Sequence, residues 1–362
     1  MIVRDEAPVI ERCLRSVAGL VDSWVVCDTG SADGTQELVE RSLKGVPGRL
    51  WERPWRDFGH NRCELMRLAR GCGDYLLLLD ADMTVTFDRA GLVNLTADSY
   101  LIRHVQPVEF WIKRLVKSDR EWSYVGSVHE YLTTEPLEVV ERLDAIVVHH
   151  HYDSRPVAEK LERDLSLLLQ DVKQNSANAR AVFYLAQTYS DLGRRDEAIG
   201  LYERRAAMGG WDQEVFYAML RAGVLRAEIG DWPAAMATLV SAWEFRPSRL
   251  EPLYELASRL RVRGEHQTAY LFAQRGIDRP QPEDILFVWP WVYRWGLLFE
   301  YSIGAYWAGE YRTALAACEQ LLSLPDLPEE YREHTVRNLA LCIDRLRGRS
   351  PRTETTTGDQ GK

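Results

Sequence analysis

Tyr75-Leu76-Leu77-Leu78-Leu79-Asp80-Ala81-Asp82 is the stretch on which the fold turns. An apolar run closed at once by two carboxylates predicts a buried strand, Tyr75–Leu79, that delivers Asp80 and Asp82 onto a loop at its carboxyl end. Upstream, Ser23–Cys27 predicts another buried strand, and it runs into Asp28-Thr29-Gly30-Ser31. Asp33-Gly34 is turn chemistry, and Thr35–Leu43 then carries helical spacing with Leu38, Val39 and Leu43 on one face. Leu50–Arg53 suits a further strand, and Asn61–Gly71 a helix ended by glycine. Met1–Glu6 predicts a first strand leading into a helix over Val9–Leu20. This alternation predicts an α/β domain built on a Rossmann-like, mainly parallel sheet covered on both faces. Ligands of such sheets bind at the carboxyl ends of strands, where Asp28 and the Asp80-Ala81-Asp82 loop both stand.

Strand signals nearly vanish after about residue 155, and a repeat takes over. Gly193, Gly230, Gly264 and Gly309 each open a G-x4-A motif ending at Ala198, Ala235, Ala269 and Ala314, at intervals of 37, 34 and 45 residues. A glycine turning between two antiparallel helices and an alanine letting them pack closely is tetratricopeptide-like (TPR-like) grammar, near its period of about 34 residues. The longest interval holds Pro280, Pro282, Pro290 and a run of aromatics, and reads as an insertion. Apolar positions past each alanine (Tyr202, Leu239, Phe272, Cys318) predict the helical contact face, and Tyr331–Arg347 predicts a closing helix. Tryptophans at helical spacing, Trp211, Trp232, Trp243, Trp289, Trp291, Trp295 and Trp307, are expected chiefly in the core, with an aromatic acceptor groove as the other reading. The expected organisation is an α/β domain over 1–155, an all-α TPR-like domain over 156–347 and a polar, disordered tail over 348–362.

The chain's 362 residues carry 54 acidic and 45 basic side chains, a net charge of −9. An acidic chain without a basic block repels a phosphate backbone, which argues against a nucleic-acid partner. Six cysteines without a CxxC pair argue against a zinc ribbon or a disulfide framework and for free thiols. No apolar stretch approaches the roughly 20 residues that cross a bilayer, and the opening residues lack a signal-peptide core. The expectation is a soluble, cytoplasmic protein.

Asp80-x-Asp82 after a buried strand suits a hard divalent cation, Mn2+ or Mg2+, which bridges phosphate oxygens. Metal beside a diphosphate leaving group stabilises the charge that grows as its bond to carbon breaks. The same loop also imitates the nucleophilic aspartate of haloacid-dehalogenase-like phosphatases. That reading wants the loop on the first strand and a later acidic pair; here some 75 residues precede it and no Gly-Asp-x-x-x-Asp follows. Asp28 can accept hydrogen bonds from a base or ribose, or simply cap the following helix. Arg62, beside Asn61, is a fixed cation for a diphosphate or a surface ion-pair partner. Glu130, some 50 residues past the metal loop, is a general base or an exposed salt bridge. In His149-His150-His151, strand alternation puts His149 and His151 on one face and His150 on the other. One neutral imidazole of the three can complete a metal shell.

Met1-Ile-Val-Arg-Asp-Glu6, Val26-Cys-Asp28-Thr-Gly-Ser-Ala-Asp-Gly-Thr35, Asp57-Phe-Gly-His-Asn-Arg62, Leu79-Asp-Ala-Asp82, Val128-His-Glu130 and His149-x-x-Tyr152 follow in this order. The ordered set resembles GT-A family 2 glycosyltransferases that carry a C-terminal TPR-like domain, a group that includes bacterial peptide and bacteriocin S-glycosyltransferases. The resemblance implies a UDP-sugar donor and a divalent cation. It places Val3, Arg4 and Glu6 near the base, Asp28 at base or ribose, and Asn61, Arg62, Asp80, Ala81 and Asp82 along the donor. Asp80, Asp82 and His149 would hold the metal, with His151 as the other choice of histidine, and Glu130 would be the base. The implied reaction is an inverting transfer to a hydroxyl or thiol of a peptide or protein, and the repeats would bind that acceptor or a second copy of the chain. Two other classes compete with this reading. A TPR scaffold with a relic catalytic domain should have lost a carboxylate or the late histidine. A nucleotidyltransferase wants a glycine-rich, lysine-containing phosphate loop that residues 1–20 lack.

Overall fold

The computed structural model describes residues 1–105, 110–126, 128, 130–151 and 157–348. They fall into two compact units, Met1–Ala218 with Asp284–Val288, and Met219–Glu283 with the chain from Trp289 onward. The expected junction at 155/156, Tyr152, His129 and the tail beyond Gly348 lie outside the described residues.

In the first unit β1 (Ile2–Val3), β2 (Trp24–Asp28) and β3 (Gly48–Glu52) pair in parallel, in the order β1-β2-β3. Helix α1 (Ile10–Val17) buries Ile10, Cys13, Leu14 and Val17, the i, i+3, i+4, i+7 stripe of an amphipathic helix. Helix α2 (Thr35–Ser42) starts after Gly34, whose φ of 88° explains the glycine there. Ile10 and Leu14 of α1 join Val3, Val26, Val39 and Leu43 in one core cluster. Helix α3 (Phe58–Ala69) begins three residues before the expected Asn61, because Asp57 caps it by accepting from the His60 N–H at 2.7 Å.

The second sheet runs β4 (Tyr75–Leu77), β7 (Phe110–Lys117), β6 (Ser99–Val105), β10 (Val140–His150) and β5 (Met83–Phe87), in that spatial order. Only β6 and β10 pair in parallel there; β4/β7, β6/β7 and β5/β10 are antiparallel. The α/β expectation holds, with a mixed sheet whose wholly parallel part is β1-β2-β3. The connection from β6 to β7 is too short for a parallel crossover, which needs about a dozen residues. A two-stranded ribbon, β8 (Trp122–Val125) with β9 (Tyr131–Thr134), completes the strands.

The helices follow as hairpins. In the first unit α4 (Val157–Gln174) precedes the pair α5 (Ala179–Asp191) and α6 (Arg195–Ala207). Helix α7 (Asp212–Glu228) leads to α8 (Trp232–Phe245). The pair α9 (Glu251–Val262) and α10 (His266–Gly276), the pair α11 (Leu297–Trp307) and α12 (Tyr311–Ser323), and the closing α13 (Glu329–Leu346) belong to the second unit. The repeat motif has the expected structural cause. Gly193, Gly230, Gly264 and Gly309 sit at φ 74°, 89°, 79° and 86°. The residue after each donates its N–H, at 2.9 Å, to the carbonyl five positions back, as in Arg194 to Tyr189 and Glu310 to Ala305. This is a Schellman-type helix end, which a left-handed residue permits. Ala198, Ala235, Ala269 and Ala314 are all buried. The tryptophans divide, with Trp295 buried and Trp211 and Trp307 exposed. No helix among the described residues is long and apolar enough to cross a membrane.

Candidate active site

The acidic loop sits where β4 leaves the sheet. Leu78 still donates its N–H to the Arg114 carbonyl at 2.7 Å, and the Met83 N–H closes a turn onto Asp80 at 3.2 Å. Ala81 is buried in the core beside Val26 and Val39, so the two flanking carboxylates are turned out of it. Asp80 is held from two sides: Oδ1 accepts from Arg62 Nη2 at 2.6 Å, and Oδ2 from Arg114 Nη2 at 3.2 Å. Burial opposes its charge, but the two guanidiniums outweigh burial and keep the carboxyl well below the usual range. Asp82 Oδ2 lies 2.8 Å from His150 Nε2.

Arg62 is the junction of the site. Besides Asp80, its Nε stands 2.6 Å from Glu130 Oε1, and its guanidinium lies 5.6 Å from the Tyr124 ring. Its side chain is 16% exposed and that of Glu130 is 9% exposed. Burial raises the Glu130 carboxyl above its ordinary value; Arg62 pulls the other way and does not cancel the effect. Asn61 is buried and accounted for by local structure. It donates to the Pro54 carbonyl at 3.0 Å and accepts from the Arg56 N–H at 2.9 Å, which staples the entry to α3.

At the end of β2, Asp28 Oδ1 accepts from the N–H groups of Gly30 and Ser31, both at 2.9 Å, and from Gln36 Nε2 at 3.1 Å. Burial works against the charge, yet hydrogen bonds from the Ser31 side chain, the Ser31 and Gly30 N–H groups and Gln36 hold the carboxyl below its ordinary value. Its Oδ2 is buried and has no hydrogen-bond partner among the described residues. Asp28 does not cap α2, a position that Gly34 takes. Val3 is buried and its carbonyl accepts from the Thr29 N–H at 2.9 Å. Glu6 receives its place from the Thr35 hydroxyl, which accepts its N–H at 2.9 Å. Arg4 is half exposed, with Asp5 3.9 Å away.

The three late histidines lie at the end of β10. β10 pairs with β5 so that His149 lies opposite Thr84 and His150 opposite Met83. His149 Nε2 is 3.1 Å from the Thr86 hydroxyl, and His151 Nε2 is 2.8 Å from that of Thr84. Alternation sets both rings on the threonine face, so the ring brought to the Asp82 carboxylate is that of His150, while the His151 N–H donates to the Asp82 carbonyl at 2.9 Å.

Two buried residues of the site were not foreseen. Arg114, besides Asp80, donates through Nε to His104 Nε2 at 3.3 Å. Burial, with Arg114 and His150 beside it, pushes the His104 pKa down to about 3, so the ring accepts as a neutral imidazole. The available signal was an arginine ahead of Leu115-Val116 within the Phe110–Lys117 strand.

No group of three or more His, Cys, Asp and Glu side chains set to hold a metal occurs among the described residues. Asp82 and His150 nevertheless offer an oxygen and a nitrogen donor side by side. Magnesium-type sites take only one or two protein carboxylates and complete their shell with phosphate oxygens and water. The donor set fits such a cation.

Residues 1–93 match the model of Glycosyl transferase family 2. A "TPR repeat-containing protein" of Synechococcus elongatus is 39% identical over 82 residues, which are 23% of this chain and 19% of that protein. The "SPbeta prophage-derived glycosyltransferase SunS" of Bacillus subtilis is 21% identical over 217 residues, 55% of this chain and 50% of that protein. The chain thus spans half or less of the curated relatives it matches. Among solved structures, "Crystal structure of MamA" is similar at a TM-score of 0.38 and 16% identity, covering 50% of this chain and 94% of that one.

Proposed function

We propose that the chain is a glycosyltransferase that moves a sugar from a UDP-sugar to a hydroxyl or thiol on a peptide or protein, with inversion at the anomeric carbon. The observation that carries the reading is the unbroken line of contacts from Asp80 through Arg62 to Glu130, inside a domain whose first 93 residues match a glycosyltransferase family. The orphaned Asp28 Oδ2 supports donor binding, because a buried unpaired acceptor is costly unless a ligand N–H or O–H completes it. Asp82 and His150 would hold Mn2+ or Mg2+, which as a Lewis acid stabilises charge on the departing diphosphate. Arg62 and Arg114, fixed by their carboxylate contacts, set positive charge on the same side without reorganising.

Glu130 is the base. It takes the proton of the acceptor O–H or S–H. The acceptor atom forms its bond to the anomeric carbon as the bond from that carbon to the diphosphate oxygen breaks, and UDP leaves with the electron pair. A raised pKa makes this carboxylate a stronger base than an exposed glutamate. Stacked helical hairpins suit an extended acceptor.

Thermal unfolding with UDP-, GDP- and dTDP-sugars, each with Mn2+ or with EDTA, tests the donor site. A ligand at about 100 times its dissociation constant adds roughly 2.7 kcal/mol, so one UDP-sugar should raise the midpoint in a metal-dependent way. No rise with any nucleotide overturns the reading. Glu130→Gln should abolish transfer and leave UDP affinity intact; transfer at the wild-type rate would remove Glu130 from the base role.

A further inference from the structure

The first unit contains a cleft of about 440 Å³ open to solvent. That volume lies within the range of about 300–1,000 Å³ typical of ligand sites. Its walls come from the start of α3, the end of β8, and the junction of α4 and α5. Polar lining dominates: Asp57, His60, Asp171, Gln174, Asn175 and Asn178. No lysine or arginine contributes among the described residues.

The cleft adjoins the proposed base through backbone. Gly126 lines it, and a Cβ on Gly126 would stand 3.5 Å from Glu130 Cα. Tyr124, also in the lining, places its ring 5.6 Å from the Arg62 guanidinium that pairs with Glu130. The Glu130 backbone thus adjoins the cleft, while its carboxylate meets Arg62. Arg62 and Arg114 suit a diphosphate. The cleft has the carboxylates of Asp57 and Asp171, which repel a diphosphate, and three neutral carboxamides. Each carboxamide carries a donor and an acceptor, as a peptide group does. Asn175 and Asn178 each accept a local N–H through Oδ1, from Ala177 and Ala181, so their NH2 groups and the Gln174 carboxamide are what meets the backbone of an extended chain. Asp57 and Asp171 make the cleft unfavourable to an anionic segment.

We propose that this cleft is the acceptor subsite, and that it takes an extended polypeptide segment free of acidic residues beside the modified side chain. The proposal rests on Glu130 being the base: the segment presents its hydroxyl or thiol, the proton passes to Glu130, the sugar joins the freed oxygen or sulfur, and UDP departs.

The test uses the full chain with Mn2+ and a mixture of radiolabelled UDP-glucose, UDP-galactose and UDP-N-acetylglucosamine. The probes are three synthetic peptide pools presenting serine, threonine and cysteine, flanked by lysine, by glutamine or by glutamate. The lysine and glutamine pools should be labelled roughly tenfold more than the glutamate pool. Gln174 is exposed at the end of α4, so Gln174→Lys should fold normally. This substitution should shift labelling severalfold towards the glutamate pool, an effect a merely structural role would not produce. Equal labelling of the three pools, or an unchanged ratio in Gln174→Lys, overturns the proposal. Release of UDP and free sugar with no labelled peptide overturns the acceptor assignment and leaves the donor reading standing. No donor consumption at all, together with no UDP binding, removes both.

Discussion

Replacing Arg62 by methionine perturbs the site at its centre. Methionine keeps an unbranched apolar stem that fills most of the same space, but it withdraws the positive charge that Asp80 and Glu130 each meet at 2.6 Å. Removing one partner of a buried ion pair costs about 3–5 kcal/mol, because the other charge is left uncompensated. Here the Arg62 and Asp80 side chains keep 16% and 26% exposure, and Arg114 still contacts Asp80 at 3.2 Å. The lower end, about 3 kcal/mol, is therefore the expected loss. For a folding unit of this size 1 kcal/mol moves the midpoint by roughly 2–4 °C, so its transition should fall by roughly 6–12 °C. Differential scanning calorimetry is the assay, since two compact units need not melt together. Adding Glu130→Gln to Arg62→Met removes one of the two carboxylates left facing each other. The double-mutant cycle should then return a coupling of roughly 1–3 kcal/mol. A single-mutant midpoint within about 1 °C of wild type, or a coupling below about 0.5 kcal/mol, would refute the claim that one guanidinium holds both carboxylates.

The histidine assignment separates cleanly. His150→Ala should lower metal-dependent UDP affinity at least tenfold in titration calorimetry, whereas His149→Ala should leave it nearly unchanged; the reverse order would restore His149 to the metal. Gly59→Ala should destabilise the first unit by about 1–3 kcal/mol, because the added Cβ would clash with the Gly126 carbonyl oxygen, a backbone atom that cannot swing aside; a wild-type denaturation midpoint would contradict that close approach. Asp28 has a folded pKa below its unfolded value, so its charge stabilises the fold above the ordinary carboxylate range and the contribution is lost as pH falls through the depressed value. The stability gap between wild type and Asp28→Asn should therefore be full at pH 7 and close as the solution is acidified below about pH 4; a gap constant with pH would show that the carboxylate charge contributes nothing.

The parts of the fold that were legible in the sequence are those with a local cause. Four glycines at fixed spacing from four alanines announce helical hairpins, because only a left-handed residue closes the turn and only a small one lets the helices touch. The run Tyr75–Leu79 announces its strand because five consecutive apolar residues have nowhere to go but the interior. Regular ladder pairing nevertheless stops at Leu77, where the chain bends into the acidic loop. The mixed character of the second sheet was less visible. Strand direction depends on which strands meet, and β6 and β10 are far apart in sequence yet pair in parallel. The choice among His149, His150 and His151 was hidden for a geometric reason. Alternation along β10 separates His150 from His149 and His151, but which of the two faces meets Asp82 is set by the pairing with the distant strand β5, which no local pattern shows. Arg114 and His104 were missed because their roles exist only through each other and Asp80, across separate elements.

Those two residues explain why carboxylates one residue apart deserve different assignments. Asp80 and Asp82 are chemically identical, and a loop motif treats them as a pair. Their surroundings are not alike. Both oxygens of Asp80 are taken by guanidinium groups, and Arg114 is itself steadied by a neutral His104. A cation competing for Asp80 would have to displace or sit beside two fixed positive charges. Asp82 faces an imidazole instead, and the Asp82 and His150 side chains keep 27% and 19% exposure. A divalent cation arriving with its phosphates reaches that pair without displacing an arginine. We therefore propose that the cation would be held by Asp82 and His150, and that Asp80 holds Arg62 in reach of Glu130. On this division Asp80→Asn should disturb the pH dependence of transfer through Glu130, while Asp82→Asn should chiefly weaken the dependence of UDP binding on Mn2+. If Asp80→Asn instead weakened Mn2+-dependent binding as strongly as Asp82→Asn, the two carboxylates would have to be treated as joint ligands after all.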